Sequence, residues 1–389
     1  MPRMPGHGRV LWALVLGVAT MVSLAGAADR KASRHANSSA PPPIESALLM
    51  EADTGAVLYE KDIHQQRAPA SMVKLMLMLI VMEQVQSGAL HLSEPITASA
   101  HASHMGGSQI YLRAGEVFPL ETMMKAIVVA SANDASVAVA EHIAGSVEGF
   151  VELMNERANA LHLSETQVAT VHGLPPSHGD PGDLTSAYDL AVLARELVKY
   201  PEILQWGSIR EERIRDGTFI LTNTNKLVST FPGVDGLKTG YHHGAGFNVT
   251  ATAQRNGVRL IAVVMGAHTN AACFDEAKRL LAMGFNSYHK VVIVRKDAPI
   301  GPEIQVSGST VRKLRAVAEN DLAVVVKKGA EKDLVTDVQV PPRLDAPAHR
   351  GQVIGEVRVT QQDQTLASTA AVIPEDIPQV GLMWRLFGR

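Results

Sequence analysis

Residues 68–85 read APASMVKLMLMLIVMEQV, apolar on nearly every face of a helix and followed by a stop at Gly88. A helix of that kind has no side to offer water, so it must run through the inside of a domain with other elements packed around it. Ser71 and Lys74 are its only polar members for some distance, and at a separation of three they share one face. The chain can supply the surroundings: it has 389 residues, 46% hydrophobic and 19% charged. At about 100–200 residues per domain this is room for two or three units, and no solenoid or propeller period is visible. Lys and Arg number 36 against 39 Asp and Glu, a net charge of −3 with no basic stripe. Such a balance excludes the electrostatic footprint of a nucleic-acid binder.

The flanking sequence sets the organisation. Arg3 and Arg9, an uncharged apolar run from Val10 to Leu24 and the small triplet Ala25-Gly26-Ala27 read as a secretory signal peptide over 1–27. The run is shorter than the ~20 apolar residues of a spanning helix. Residues 28–43 are small, polar and end in Pro41-Pro42-Pro43, as a solvated linker does. Apolar runs over 46–51 and 56–60 around Asp53-Thr54-Gly55 predict a hairpin, and so do 247–253 and 259–265 around Asn256-Gly257. Helices are expected over 120–130, 135–143, 151–160 and 187–199. After Tyr288 short β-branched runs at 291–294, 322–326, 334–340 and 353–359 predict a small all-β domain over 291–375, behind a catalytic unit over 44–290. On a helical wheel Val380, Met383, Trp384 and Phe387 cluster opposite Arg385 and Arg389, so 376–389 reads as an amphipathic helix that could lie on a membrane surface. The single cysteine, Cys273, can form no internal disulfide and reads as an inert buried thiol.

Chemistry enters through three short motifs. A lysine in an apolar surround beside a helix N-terminus is pushed toward the neutral amine, which can take the proton of a serine hydroxyl. Alone, Ser71-x-x-Lys74 is a weak pattern, since Ser287-Tyr288-His289-Lys290 matches it too. Ser131-Ala132-Asn133 after an apolar helix and Lys238-Thr239-Gly240 before a strand change its weight. Together, in this order, the three form the set shared by class A β-lactamases and penicillin-binding proteins.

Beyond the motifs, Glu141-His-Ile-Ala-Gly145, Val171-His-Gly-Leu174, Val234-Asp-Gly-Leu-Lys-Thr-Gly240, Gly244-Ala-Gly-Phe247 and Arg259-Leu-Ile-Ala-Val-Val-Met-Gly266 resemble the low-molecular-mass penicillin-binding proteins that are serine D-alanyl-D-alanine carboxypeptidases. The resemblance covers nearly all of the chain after the signal peptide. His242-His243 departs from it, the family more often having threonine or serine there. It implies an α/β fold, a β-lactamase/transpeptidase-like α/β/α catalytic domain followed by a small all-β domain. It also implies residue roles: Ser71 as nucleophile, Lys74 as general base, Ser131 as proton relay to the leaving amine and Asn133 as a holder of a substrate amide. Lys238 and Thr239 would bind the terminal carboxylate, the N–H groups of Ser71 and Tyr241 would form an oxyanion hole, and His172 and Gly240 would support the site. The implied substrate is the peptidoglycan pentapeptide, with β-lactams as covalent inhibitors, no metal and no organic cofactor. Export and peripheral attachment to the outer face of the cytoplasmic membrane follow from the signal peptide and residues 380–389. A β-lactamase, a DD-endopeptidase and a silent wall-binding or penicillin-sensing protein are the alternatives. The first is disfavoured because no Glu-x-x-Leu-Asn lies between Asn133 and Lys238.

Overall fold

The computed structural model describes residues 44–177 and 182–381. The signal peptide expected over 1–27 and the linker expected over 28–43 lie outside the described residues. The predicted first hairpin forms from β1 (Ser46–Glu51) and β2 (Val57–Lys61). Its turn is closed by the Glu51 carboxylate, which accepts from the N–H groups of Asp53 and Thr54 and from the Thr54 hydroxyl.

A 3₁₀ turn over Ala70–Val73 leads into α1 (Lys74–Gln86), of which every residue from Lys74 to Met82 is buried. Around it come β3 (Pro95–Thr97), α2 (Ala100–Ser103), β4 (Val117–Pro119), α3 (Leu120–Ala130), α4 (Asn133–Ala144), α5 (Val147–Ala160), α6 (Ala187–Leu197) and α7 (Pro201–Gly207). A short hairpin of β5 (Glu211–Ile214) and β6 (Phe219–Thr222) and a turn of helix, α8 (Leu227–Thr230), precede three long strands. These are β7 (Val234–His242), β8 (Gly246–Arg255) and β9 (Val258–Ala267), and α9 (Asn270–Ser287) follows them.

The strands pair antiparallel in the order β2-β1-β9-β8-β7. Both faces of this sheet are buried, and the period of two divides them. Ile261, Val263 and Met265 join the core around α1, whereas Leu260, Ala262 and Val264 join the core under α9. That is the α/β/α sandwich expected. Helix α9 has no counterpart among the helices expected from sequence, although Thr269 caps it by accepting from Ala272 N and Ala272, Cys273, Ala277, Leu280 and Leu281 make a helical stripe.

The chain passes from α9 straight into a β-rich unit: β10 (Tyr288–Val294), β11 (Pro299–Ser307), β12 (Lys313–Ala318), β13 (Leu322–Lys327), β14 (Leu334–Gln339), β15 (Arg343–Asp345), β16 (Val353–Gln361) and β17 (Gln364–Val372). The order is β14-β16-β17-β12-β11-β15 in one sheet, with β10 and β13 paired beside it. The β-branched runs mark four of these strands and leave β11, β12, β15 and β17 unmarked. Residues 376–381, expected to open an amphipathic helix, are not helical. Ile377 pairs with Ala348 and is buried, and Val380 N–H donates to Gly308 O. The rest of that stretch lies outside the described residues. Among them no helix is long and apolar enough to cross a membrane.

Candidate active site

The site forms where the helical layer meets the free edge of the sheet. Ser71 lies in the 3₁₀ turn rather than in α1 itself, and Lys74 is the first α-helical residue. Ala70, just before the serine, holds a left-handed φ of 50°, a strain that persists only where the surroundings fix it. They do so by close approach. A Cβ at Gly240 of β7 would meet Pro69 O at 2.4 Å, and one at Gly173, which also has a φ of 77°, would meet Ala70 O at 2.1 Å. Both glycines let backbone touch backbone on either side of Ser71.

Lys74 is fully buried, and its Nζ lies 3.0 Å from Ser71 Oγ, 2.7 Å from Asn133 Oδ1 and 2.6 Å from His172 O. Burial, then repulsion from Lys238, holds the amine well below the ordinary lysine range, against the fields of Asp183 and Asp134. A neutral amine has two N–H bonds and one lone pair. Asn133 Oδ1 and the His172 carbonyl are acceptors only, so they take the two N–H groups and leave the lone pair for the Ser71 hydroxyl. That is the arrangement a serine nucleophile needs from a general base.

Asn133 opens α4 and is locked in turn. Its Nδ2 donates to Gly106 O at 2.7 Å and its backbone N–H to Ser108 O at 2.7 Å. The neighbouring Asp134 carboxylate accepts from the N–H groups of Ile110, Leu112 and Ala135, which pins the same loop. Ser131 follows α3 in a left-handed conformation with a φ of 62°. Among the described residues its hydroxyl makes no hydrogen bond, and it lines the cleft.

The third motif is on β7, not ahead of a strand as its sequence context suggests. Lys238 is buried, its Nζ donates to Thr239 O at 3.0 Å, and burial pulls its pKa down to about 7. Thr239 Oγ1 donates to Thr224 Oγ1 at 2.8 Å. Tyr241 is exposed and stacks on Phe247 with ring centroids 4.2 Å apart. A cleft of about 380 Å³ joins Ser71, Ser108, Ser131, Thr224, Thr239 and Tyr241, with Cys273 in its wall. Burial pushes the Cys273 thiol up to about 12.

His172 contributes its main chain rather than its ring. The imidazole Nδ1 accepts from Leu174 N at 3.1 Å, and burial first, then Lys74 and His101, lowers its pKa to about 4. Ser108, Asp134, Asp183 and Thr224 are not among the sequence candidates. Asp134 sits beside Asn133 and could be found from it, but nothing local marks Thr224 or Asp183.

This layered fold, closing on a cleft serine and a buried lysine, defines a transpeptidase-like serine peptidase. The family model for D-alanyl-D-alanine carboxypeptidases matches residues 35–269, and that for the C-terminal domain of penicillin-binding protein 5 matches 288–379. The chain is similar to the D-alanyl-D-alanine carboxypeptidase DacF of Bacillus subtilis, 35% identical with 96% of each chain covered. It is also similar to DacC of Escherichia coli, 30% identical over 87% of this chain and 86% of that one. Among solved structures, penicillin-binding protein 5 of Haemophilus influenzae matches at 30% identity and a TM-score of 0.72, covering 87% of this chain and 99% of that one. Penicillin-binding protein D2 of Listeria monocytogenes, solved in an ampicillin-bound form, matches at 27% identity and a TM-score of 0.57 over 62% of this chain and 97% of that one. The chain belongs to the D-alanyl-D-alanine carboxypeptidase family, the low-molecular-mass penicillin-binding proteins, and is a serine-type carboxypeptidase of that family.

Proposed function

We propose that the protein trims the terminal D-alanine from peptidoglycan pentapeptides through an acyl-enzyme on Ser71. Ser71 Oγ attacks the carbonyl carbon between the two D-alanines as its proton passes to Lys74 Nζ. The oxyanion takes the N–H groups of Ser71 and Tyr241, donors fixed in place before the reaction. Collapse breaks the C–N bond, and the departing amine receives the proton through Ser131. Water then attacks the ester with Lys74 again as base, releasing the shortened peptide and restoring Ser71. Asn133 holds the substrate amide.

The terminal carboxylate rests on Lys238 and Thr239, which supports exopeptidase action. Because burial brings Lys238 to about 7, its charge is not fixed. A carboxylate arriving beside it favours the protonated form. β-Lactams take the same route and stop at the ester. The observation that carries this reading is the Ser71–Lys74 couple, 3.0 Å apart with the two N–H groups of Lys74 donated to Asn133 Oδ1 and His172 O. Mass spectrometry of pentapeptide after incubation should show loss of one alanine with the wild type and none with Ser71→Ala. Penicillin should label Ser71 alone, and labelling that persists in Ser71→Ala would sink the assignment.

Export across the cytoplasmic membrane and peripheral attachment to its outer face through residues 380–389 belong to the same proposal. The support is sequence alone: the basic start, apolar run and small triplet of residues 1–27, and the cluster of Met383, Trp384 and Phe387 with Arg385 and Arg389. The protein lacking 380–389 should still trim pentapeptide but should not bind anionic vesicles. Equal partitioning of both forms refutes the anchor.

A further inference from the structure

The main-chain oxygen of His172 accepts from Lys74 Nζ at 2.6 Å and lies 3.3 Å from Ser71 Oγ, so it abuts both members of the couple. His172 sits between α5 and α6, outside any helix or strand, so no regular hydrogen-bond ladder fixes its carbonyl. What holds it is a side-chain relay. Thr170 Oγ1 accepts from Gly173 N at 2.8 Å and His172 N at 3.4 Å, and donates to Asp183 Oδ2 at 2.7 Å. The other carboxylate oxygen, Oδ1, accepts from Ala169 N at 2.8 Å and Thr170 N at 2.9 Å. Asp183 is only 6% exposed. The residues beside it are themselves clamped: Leu184 pairs with Gln167, and Thr185 with Arg67, four residues before the nucleophile. The carboxylate thus bridges the strip that carries His172 and a strip tied to the segment of Ser71.

We propose that Asp183 is a positioning residue for the Ser71–Lys74 couple, acting through Thr170 to hold the His172 carbonyl where it orients both side chains. This rests on the assignment of Ser71 and Lys74 made above. Asp183 touches neither reacting atom, so its removal misaligns the base rather than deleting it. A buried carboxylate with three donors is also an expensive group to keep for packing alone.

The charge has a second effect. Lys238 on β7 lowers the pKa of Lys74, while Asp134 on α4 and Asp183 raise it. His172, held to about 4, is neutral, His101 acts on His172, and His242 on β7 feels the field of Asp183. Lys74 works as a base only when neutral, so its pKa sets the acid limb of the rate profile. Taking away the negative charge of Asp183 lowers that pKa further and moves the acid limb to lower pH.

The test is the second-order rate constant for acylation by a fluorescent penicillin, measured across pH on the full chain with Asp183→Asn, Thr170→Val and Thr170→Ser. Asp183→Asn and Thr170→Val should each slow acylation by about 10- to 100-fold, the scale of a small misplacement of reacting groups. Thr170→Ser, which restores the hydroxyl, should recover most of the rate. Asp183→Asn alone should move the acid limb down, because Thr170→Val leaves the charge in place. If Asp183→Asn fails to fold, the Val and Ser pair at 170 decides. Wild-type rates in Thr170→Val, or an acid limb unmoved in a folded Asp183→Asn, overturn the proposal. A wild-type protein that penicillin does not label at Ser71 overturns the assignment beneath it, a different result.

Discussion

The β-rich unit from Tyr288 onward and the layered unit before it both close on apolar cores, but they differ in what else they bury. Before Tyr288 the buried side chains include Glu51, Lys74, Asn133, Asp134, Asp183, Asp189 and Lys238; after it, among the described residues, Ser309 is the one buried polar side chain. A charge taken out of water is destabilising unless it is paired, and Lys74 and Lys238 are both pushed toward their neutral forms instead. The difference teaches that the two units answer to different demands. The later one is arranged as packing alone would arrange it, while the earlier one buries polar and charged groups, of which Lys74 and Asn133 meet beside Ser71.

The largest expected effect on activity comes from removing such a group. Lys238→Met keeps the apolar stem and removes the charged head. Hydrolysis of the D-Ala-D-Ala peptide should fall by the worth of a charge-assisted contact, about 1.5–3 kcal/mol, or roughly ten- to a hundredfold. The preference for a free over an amidated C-terminus should vanish with it. The thermal midpoint should hold or rise, because a desolvated amine has been exchanged for an apolar group of similar size. A fall in the midpoint would break the contrast between the units.

The next effect is the mirror image. Ile304, fully buried in β11, belongs to the core of the β-rich unit. Ile304→Ala should destabilise by about 2–5 kcal/mol, through the transfer energy of the missing atoms plus the cavity left behind. Its penicillin acylation rate, measured where the protein is still folded, should match the wild type. A slower rate would show that the two units do not act independently.

How much of this is legible in the sequence follows the same division. The apolar run from Leu75 to Met82 has one reading, a buried helix, and α1 is where that reading puts it. Strands β1, β8 and β9 announce themselves by apolar runs around tight turns. Ser71, Lys74, Ser131, Asn133, Lys238 and Thr239 stand out because their motifs are contiguous. Their convergence does not, since it depends on Gly173 and Gly240 allowing backbone contacts that no local pattern displays. Helix α9 escapes notice although its cap and stripe are present, and β11, β12 and β17 do so because polar and exposed positions interrupt their apolar runs. His172 is expected to support the site because it lies in the Val171-His-Gly-Leu174 segment, and it meets Lys74 through its carbonyl, an atom every residue has. Sequence cannot rank residues by a group they all share.

The smallest expected effect concerns that ring, and it sharpens the comparison in pH rather than in energy alone. Burial, with the fields of Lys74 and His101, lowers the His172 pKa to about 4, against an unfolded value of about 6.5. Between these two values the unfolded chain binds a proton that the native protein refuses. The contribution of His172 to stability is therefore complete above about pH 6.5 and is lost as the pH falls toward 4. Asparagine at this position keeps an acceptor within reach of Leu174 N and does not titrate. Stability plotted against pH should run parallel for His172→Asn and the wild type near neutrality, then converge or cross as the pH drops through this window, the variant falling less. Acylation at neutral pH should change little, because the His172 carbonyl stays in place. Equal slopes in the two proteins would mean that the imidazole takes up its proton in the native state and that Nδ1 no longer accepts from Leu174 N.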